Sequence, residues 1–290
     1  MESVGVHRWP APAKLNLMLH VVGRRPDGYH ELQTVFQLID LRDAIDIAVR
    51  EDGLISRPSG PAGVSEDQDL VVRAARALKE ATGTRLGARI SVIKKIPLGG
   101  GLGGGSSDAA TTLVALNQMW KAGLNSAQLA AIGAKLGADV PVFVAGRSAW
   151  AEGVGEKLTP IALRQRHYVI VDPGVSVATS ALFQAPELTR NSPPLTISDY
   201  LSGSGAGTTN AFTPVVRAGY PPLAAAIDWL GQFGDARLTG SGGCVFVDVE
   251  SAERADEIAK RCPVHFTVYR ARGVDRSPLL DALEDSRRPA

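Results

Sequence analysis

The chain has 290 residues, enough for one large domain or two of ordinary size, with 44% hydrophobic and 21% charged positions. Lys and Arg number 31 against 30 Asp and Glu, a net charge of +1, which argues against nonspecific nucleic-acid or membrane-surface binding and for a small partner. Its two cysteines, Cys244 and Cys262, sit in no CxxC or Cys/His grouping, and no apolar run approaches the ~20 residues of a membrane span, so the expectation is a cytoplasmic protein without zinc or disulfides.

In chain order, APAKLNLMLHVV (residues 11–22) alternates, with Ala13, Leu15, Leu17 and Leu19 on one face and Lys14, Asn16, Met18 and His20 on the other. The period predicts a half-buried strand. A Pro26-Asp27-Gly28 turn signal follows, then two strand-like runs, the second alternating Ile45, Ile47 and Val49. Leu70, Val71, Ala74 and Leu78 recur at helical spacing, with Gly83 as the stop. ARISVIKKIP reads as a strand and SSDAATTLVALNQMW as a helix with Leu113, Leu116 and Trp120 on one side. SAQLAAIGAKLG forms a further helix, Asn125 and Gln128 placed as a capping box and Gly137 at its end. ADVPVFVAG and SAWAEGVGEKL come next. The polar stretch from Thr159 to His167 then marks a boundary between domains 1–165 and 166–290.

The second domain reads as strand YVIVD, helix SALFQAPEL, a Gly/Ser/Thr/Pro-rich loop LTRNSPPLTISDYLSGSGAGTTNAF, and helix PPLAAAIDWLGQF. Strand, loop and strand in ARLTGSGGCVFVDV, helix SAERADEIAKRC and strand HFTVYRA complete it. This order resembles a ferredoxin-like βαββαβ domain, and the fold class is α+β. The tail DSRRPA is expected to fray.

Six glycines fill the seven positions from Gly99 to Gly105. Each costs conformational entropy and adds nothing to a core, so close approach to the backbone is implied. Gly99, Gly101 and Gly104 satisfy G-x-G-x-x-G, but the helical pattern after Trp120 does not suit a dinucleotide fold. No lysine precedes Ser106 and Ser107, so a Walker loop is excluded. What remains is a loop opening a helix whose first turn offers free N–H groups, the positive end of the macrodipole and two hydroxyls, which is an anion site. Pro97, Leu98, Gly99, Gly100, Gly101, Leu102, Gly103, Gly104, Gly105, Ser106 and Ser107 are its candidate residues.

PLGGGLGGGSSDAA resembles the phosphate loop of the GHMP small-molecule kinases. PAKLNL, GRRPDGYHELQTVFQLIDLRD, LGADVPVFVAG, AEGVGEKL and LTGSGGCVF resemble further motifs of that family in family order, from about Lys14 to Phe246. The resemblance implies a two-domain kinase: an N-terminal domain like ribosomal protein S5 domain 2, a C-terminal ferredoxin-like GHMP domain, and ATP and substrate in the cleft between. It further implies phosphorylation of the 2-hydroxyl of a cytidine diphosphate-linked methylerythritol in non-mevalonate isoprenoid synthesis. A GHMP kinase for mevalonate or homoserine, and a non-catalytic nucleotide sensor, are the alternatives. No nucleic-acid or membrane partner is expected, and the chain would act as monomer or homodimer.

The resemblance assigns Asp139 as catalytic base, where turn chemistry after a helix is the competing explanation. Lys14, on an otherwise apolar strand, must face solvent, a carboxylate or an anion; sharing a face with Asn16 suggests a polar cleft wall, and the family places this lysine beside the aspartate. Tyr29 and His30 would read cytosine. Phe183 would stack on the base, although a Phe at helical spacing beside Leu182 also suits a core. Gly240, Ser241, Gly242 and Gly243 form a second glycine loop that would close over phosphates. Either Lys94 or Lys95 could reach the nucleotide, and a solvated face explains both equally. No carboxylate pair marks a magnesium site, so Mg²⁺ would arrive with ATP, helped by Ser106 or Ser107. Two positions depart from the family pattern: Ala211 after Asn210 where Asp is usual, and Asp69 where Asn is usual.

Overall fold

The computed structural model describes residues 5–203 and 209–288; part of the predicted Gly/Ser-rich loop, 204–208, and the end of the tail, 289–290, lie outside the described residues. β1 (His7–Arg24) and β2 (His30–Arg50) pair antiparallel across the turn at Gly28. β2 is one long strand where two runs were predicted. A register shift opposite Pro12 to Lys14 bends it, and it then changes partner instead of ending. Along its length it meets β5 (Ala149–Gly153) at Leu32–Phe36, β10 (Thr267–Val274) at Leu38–Ile39, and β4 (Gly87–Ile93) at Ala44–Arg50.

A short strand that the sequence pattern did not reveal, β3 (Ile55–Ser59), runs parallel to β4. α1 (Leu70–Thr82) starts where the Asp69 side chain accepts from the Val71 N–H and stops at Gly83 in the left-handed region, as predicted. α2 (Gly104–Met119) begins inside the glycine loop, and Ser107–Leu116 are buried all round rather than on one side. The predicted capping box starts α3 (Ser126–Ala134), which ends short of Gly137. ADVPVFVAG yields a short helix, α4 (Val140–Ala145), and β6 (Lys157–Pro160) pairs with β5.

The second half contains β7 (His167–Asp172), α5 (Thr179–Gln184), α6 (Ile197–Ser202), α7 (Thr213–Gly219) and α8 (Pro221–Leu230). After them come β8 (Arg237–Leu238), β9 (Val245–Val249), α9 (Ala252–Lys260), β10 and α10 (Pro278–Asp285). Strand order β10-β7-β9-β8, all antiparallel, is the ferredoxin-like arrangement. The predicted loop holds α6, started by a capping box between Thr196 and Asp199, and α7 and α10 were not predicted. Among the described residues ten strands form one sheet, joined across the halves by β10 and β2.

β1 explains how that joint is filled. It contributes Trp9 and Ala11 to a core under α1, α2 and α4, Ala13 to Met18 to a central core shared with Tyr168, Ile170 and Phe246, and Leu19 and Val21 to a core under α7 and α8. A bulge between Asn16 and Met18 turns Met18 onto the leucine face. The half-buried strand of the prediction is therefore buried on both faces, because both halves cover it. Each large apolar side chain so buried contributes about 1.5–3 kcal/mol. Its polar residues are forced to find partners, and they find them at the cleft.

Candidate active site

The first glycine loop runs from the end of β4 into α2, and the second lies between β8 and β9. Gly99, Gly101 and Gly103 take φ of 70°, 72° and 72°, and Gly240, Gly242 and Gly243 take 58°, 114° and 102°. What approaches the first loop most closely is the second. A Cβ on Gly101 would overlap the Thr239 carbonyl oxygen, and one on Gly243 would overlap that of Gly99. The Cys244 N–H donates to Gly100 at 3.0 Å and the Thr239 hydroxyl to the Gly101 carbonyl at 3.2 Å. Part of the glycine content thus serves loop-on-loop contact. The rest, with Pro97, Leu98, Leu102 and Ser106, lines a cleft of about 1030 Å³.

Lys14 sits beneath both loops, 2% exposed. Its Nζ lies 2.5 Å from Asn16 Oδ1, 2.9 Å from the Gly101 carbonyl and 3.2 Å from Asp139 Oδ2. Three acceptors meet the three donors of an ammonium, so the cation is held in one place. Asn16 is itself fixed: its Nδ2 donates to Thr34 at 2.8 Å and its N–H to the Thr239 hydroxyl at 3.1 Å. Asp139 stands at the cap position of α4, yet its side chain makes no capping bond there. Turn chemistry does not occupy the carboxylate; it faces Lys14 and the cleft.

Lys94 lines the cleft, whereas Lys95 is exposed on the other side of the chain. The Lys94 ammonium bridges Asp43, which is fully buried, and Asp108 at 2.8 Å. Burial opposes its charge, but Asp108 and Asp43 outweigh burial and hold it above the ordinary lysine range. Asp43 also accepts from the Ile96 N–H at 2.9 Å, pinning the start of the loop.

At the far end of the cleft His30, opening β2, stacks on Phe183 of α5 with centroids 4.8 Å apart and planes 20° from parallel. Phe183 is also part of the core, its ring edge-on to Phe212 at 5.0 Å. Tyr29 lines the same space and is 65% exposed. Burial, then Arg190 and Arg24, hold His30 below its usual pKa. Gly240 and Ser241 line the cleft, with Ser241 Oγ 2.6 Å from Thr179 Oγ1.

Three candidate residues do not reach the cleft: Ser107 is fully buried inside α2, one residue round the helix from Ser106, Gly242 faces Val177 behind the second loop, and Gly243 packs against Gly99. Thr239, Thr179 and Arg190 were not singled out in the sequence. Thr239 adjoins the second glycine loop, a signal that was present; Arg190 gave none. Of the two family departures, Asp69 caps α1 and pairs with Arg57 at 3.0 Å, and Ala211 is buried beside Asn210, whose Nδ2 clamps the Leu238 and Gly240 carbonyls.

A helix N-terminus is wrapped by two glycine loops with a Lys14–Asp139 pair below, and the chain has the two-domain GHMP kinase fold. The family described as GHMP kinases N terminal domain matches residues 69–147, and GHMP kinases C terminal matches 196–266. The chain is 54% identical over 275 residues to the 4-diphosphocytidyl-2-C-methyl-D-erythritol kinase of Azoarcus sp. (strain BH72), covering 95% of this chain and 96% of that one. A crystal structure of 4-(cytidine 5'-diphospho)-2C-methyl-D-erythritol kinase superposes with a TM-score of 0.81 at 34% identity, covering 92% of this chain and 99% of that one. A crystal structure of mevalonate kinase, at 16% identity and a TM-score of 0.68 over 93% and 100% of the two chains, shares the fold alone. The chain belongs to the 4-diphosphocytidyl-2-C-methyl-D-erythritol kinase family of GHMP kinases.

Proposed function

We propose that the protein transfers the γ-phosphoryl group of ATP to the 2-hydroxyl of 4-diphosphocytidyl-2-C-methyl-D-erythritol, a step in non-mevalonate isoprenoid synthesis. The observation that carries this is the Lys14–Asp139 pair, 3.2 Å apart, in a cleft that runs from the glycine loops to the His30–Phe183 stack. The substrate hydroxyl attacks the γ-phosphorus, its proton passes to the Asp139 carboxylate, and the bond to the ADP oxygen breaks. Lys14 holds that carboxylate and places positive charge beside the transferring group. Backbone N–H groups at the start of α2 receive phosphate oxygens.

Among the described residues no three His, Cys, Asp or Glu side chains gather as a metal site. Asp108 is engaged by Lys94, leaving the Ser106 hydroxyl and Asp139 in the cleft. That sparse set fits Mg²⁺ carried on ATP, an ion that keeps ligands from phosphate and water. Bound there, it would offset phosphate charge.

The same reading divides the chain into units 1–165 and 166–290, with α10 packed back on the first. It includes a cytoplasmic location and a monomer or homodimer. Among the described residues no helix is long and apolar enough to cross a membrane.

A coupled ADP-release assay against a panel of alcohols tests the assignment. Turnover is expected with the cytidyl substrate and not with mevalonate or homoserine. Activity with mevalonate and none with the cytidyl compound overturns it.

A further inference from the structure

Arg190 follows α5 in the chain and lines the base end of the cleft. Its guanidinium donates to the carbonyls of Phe183 at 2.9 Å, Ala185 at 2.8 Å and Leu188 at 3.1 Å. Phe183 and Ala185 belong to the end of α5, where carbonyls have no partner within the helix. A planar fork of five donors can serve several such acceptors together, which a single ammonium cannot. With six residues α5 is too short to hold its own shape. The backbone of Phe183 is thus fixed from outside the helix, and its ring faces His30.

We propose that Arg190 is the positioning residue of the base subsite: by clamping the end of α5 it sets the Phe183 ring against His30, and so holds in place the imidazole that favours cytosine over uracil. The proposal rests on the cytidyl reading above.

The charges around His30 are one-sided. Arg24 is paired with it across the β1–β2 hairpin, and Arg190, on the α5 side, adds to the larger effect of burial in holding its pKa down. Asp27 and Glu31, the neighbouring carboxylates, are both paired with Arg25, at 2.9 Å and 3.9 Å. α5 itself, TSALFQ, supplies no charged side chain. Burial and the two cations therefore act in the same direction, against an imidazolium. His30 Nε2 is buried with no protein partner among the described residues. A neutral imidazole keeps one nitrogen as an acceptor, which the cytosine amino group needs; an imidazolium only donates, which suits the uracil carbonyl instead.

The test uses R190M and R190K in the full chain. NMR titration of the His30 imidazole is read without substrate, and kcat and KM are read for ATP and for the cytidyl and uridyl substrates. In R190M, His30 is expected to titrate nearer its ordinary value. KM for the cytidyl substrate should rise about tenfold, as for loss of one well-made anchor. The preference over the uridyl analogue should narrow most at acid pH, with kcat and KM for ATP within about twofold. R190K should keep the low His30 titration and show part of the KM rise, because the charge stays and the fork is lost. An unchanged KM for the cytidyl substrate or an unchanged preference over the uridyl analogue in R190M overturns the proposal, and so does a parallel loss in kcat and KM for ATP. If R190M does not fold, R190K decides by the same split between KM for the cytidyl substrate and kcat. Wild-type protein that fails to use the cytidyl substrate, with His30 still shifting in R190M, would sink the functional reading and leave the Arg190–His30 coupling standing.

Discussion

At the glycine-loop end of the cleft backbone lies against backbone, with no room for a Cβ between Gly101 and Thr239 or between Gly243 and Gly99. At the opposite end, ring lies against ring, His30 on Phe183 with Tyr29 largely in solvent. Main chain cannot be exchanged by substitution, whereas a ring can be trimmed and its contact area lost without moving its neighbours. On the proposed function, the chemistry would rest on interlocked main chain and base recognition on side-chain rings. A change at the first end should strike turnover or stability, and a change at the second should strike KM.

D139N gives the largest expected effect, a fall in kcat of about 10²–10⁴ with ATP affinity retained, measured by steady-state assay and nucleotide titration. Unchanged turnover removes Asp139 from the reaction. K14M should lower kcat by roughly 10², since the charge beside the transferring group goes and the Asn16 and Gly101 oxygens lose their shared donor. If instead K14M raises only the KM for the cytidyl substrate, the division between the two ends is misplaced. G101A should cost about 2 kcal/mol in a denaturant melt, through left-handed strain and the overlap with Thr239. A melt identical to wild type would show that the loops do not interlock. F183A sharpens the contrast from the other side: KM should rise about tenfold for cytidyl and uridyl substrates alike, because stacking does not tell bases apart. A loss of kcat in F183A would tie the two ends into one unit.

Features that depend on a few adjacent residues were legible in the sequence. The Asn125–Gln128 capping box, the Gly83 stop of α1 and the opening of α2 out of the glycine loop are local chemistry, and they stand where predicted. The Thr196–Asp199 box was equally local, but Pro, Ser and Gly on both sides made its segment look like loop. Features set by the other half of the chain were not legible. Alternation in β1 predicts one wet face, and nothing in its own residues says that the glycine loops at Gly101, Gly103 and Gly240 will cover Lys14 on it. Ser106 and Ser107 are chemically identical, and only the rotation of α2 sends one into the cleft and the other inward. The number of glycines suggested ligand contact alone, because the second loop that uses several of them lies far along the chain.

The C-terminal helix α10 brings Leu279 into the core formed by Trp9, Phe143 and the glycine-loop helix, and Leu280 covers Gly146. A polypeptide leaves the ribosome from its N-terminus, so the first half emerges with that patch uncovered and stays so through synthesis of the entire second half. Closure of the first core is therefore a late event of biosynthesis, complete only when Ser277 caps the arriving helix.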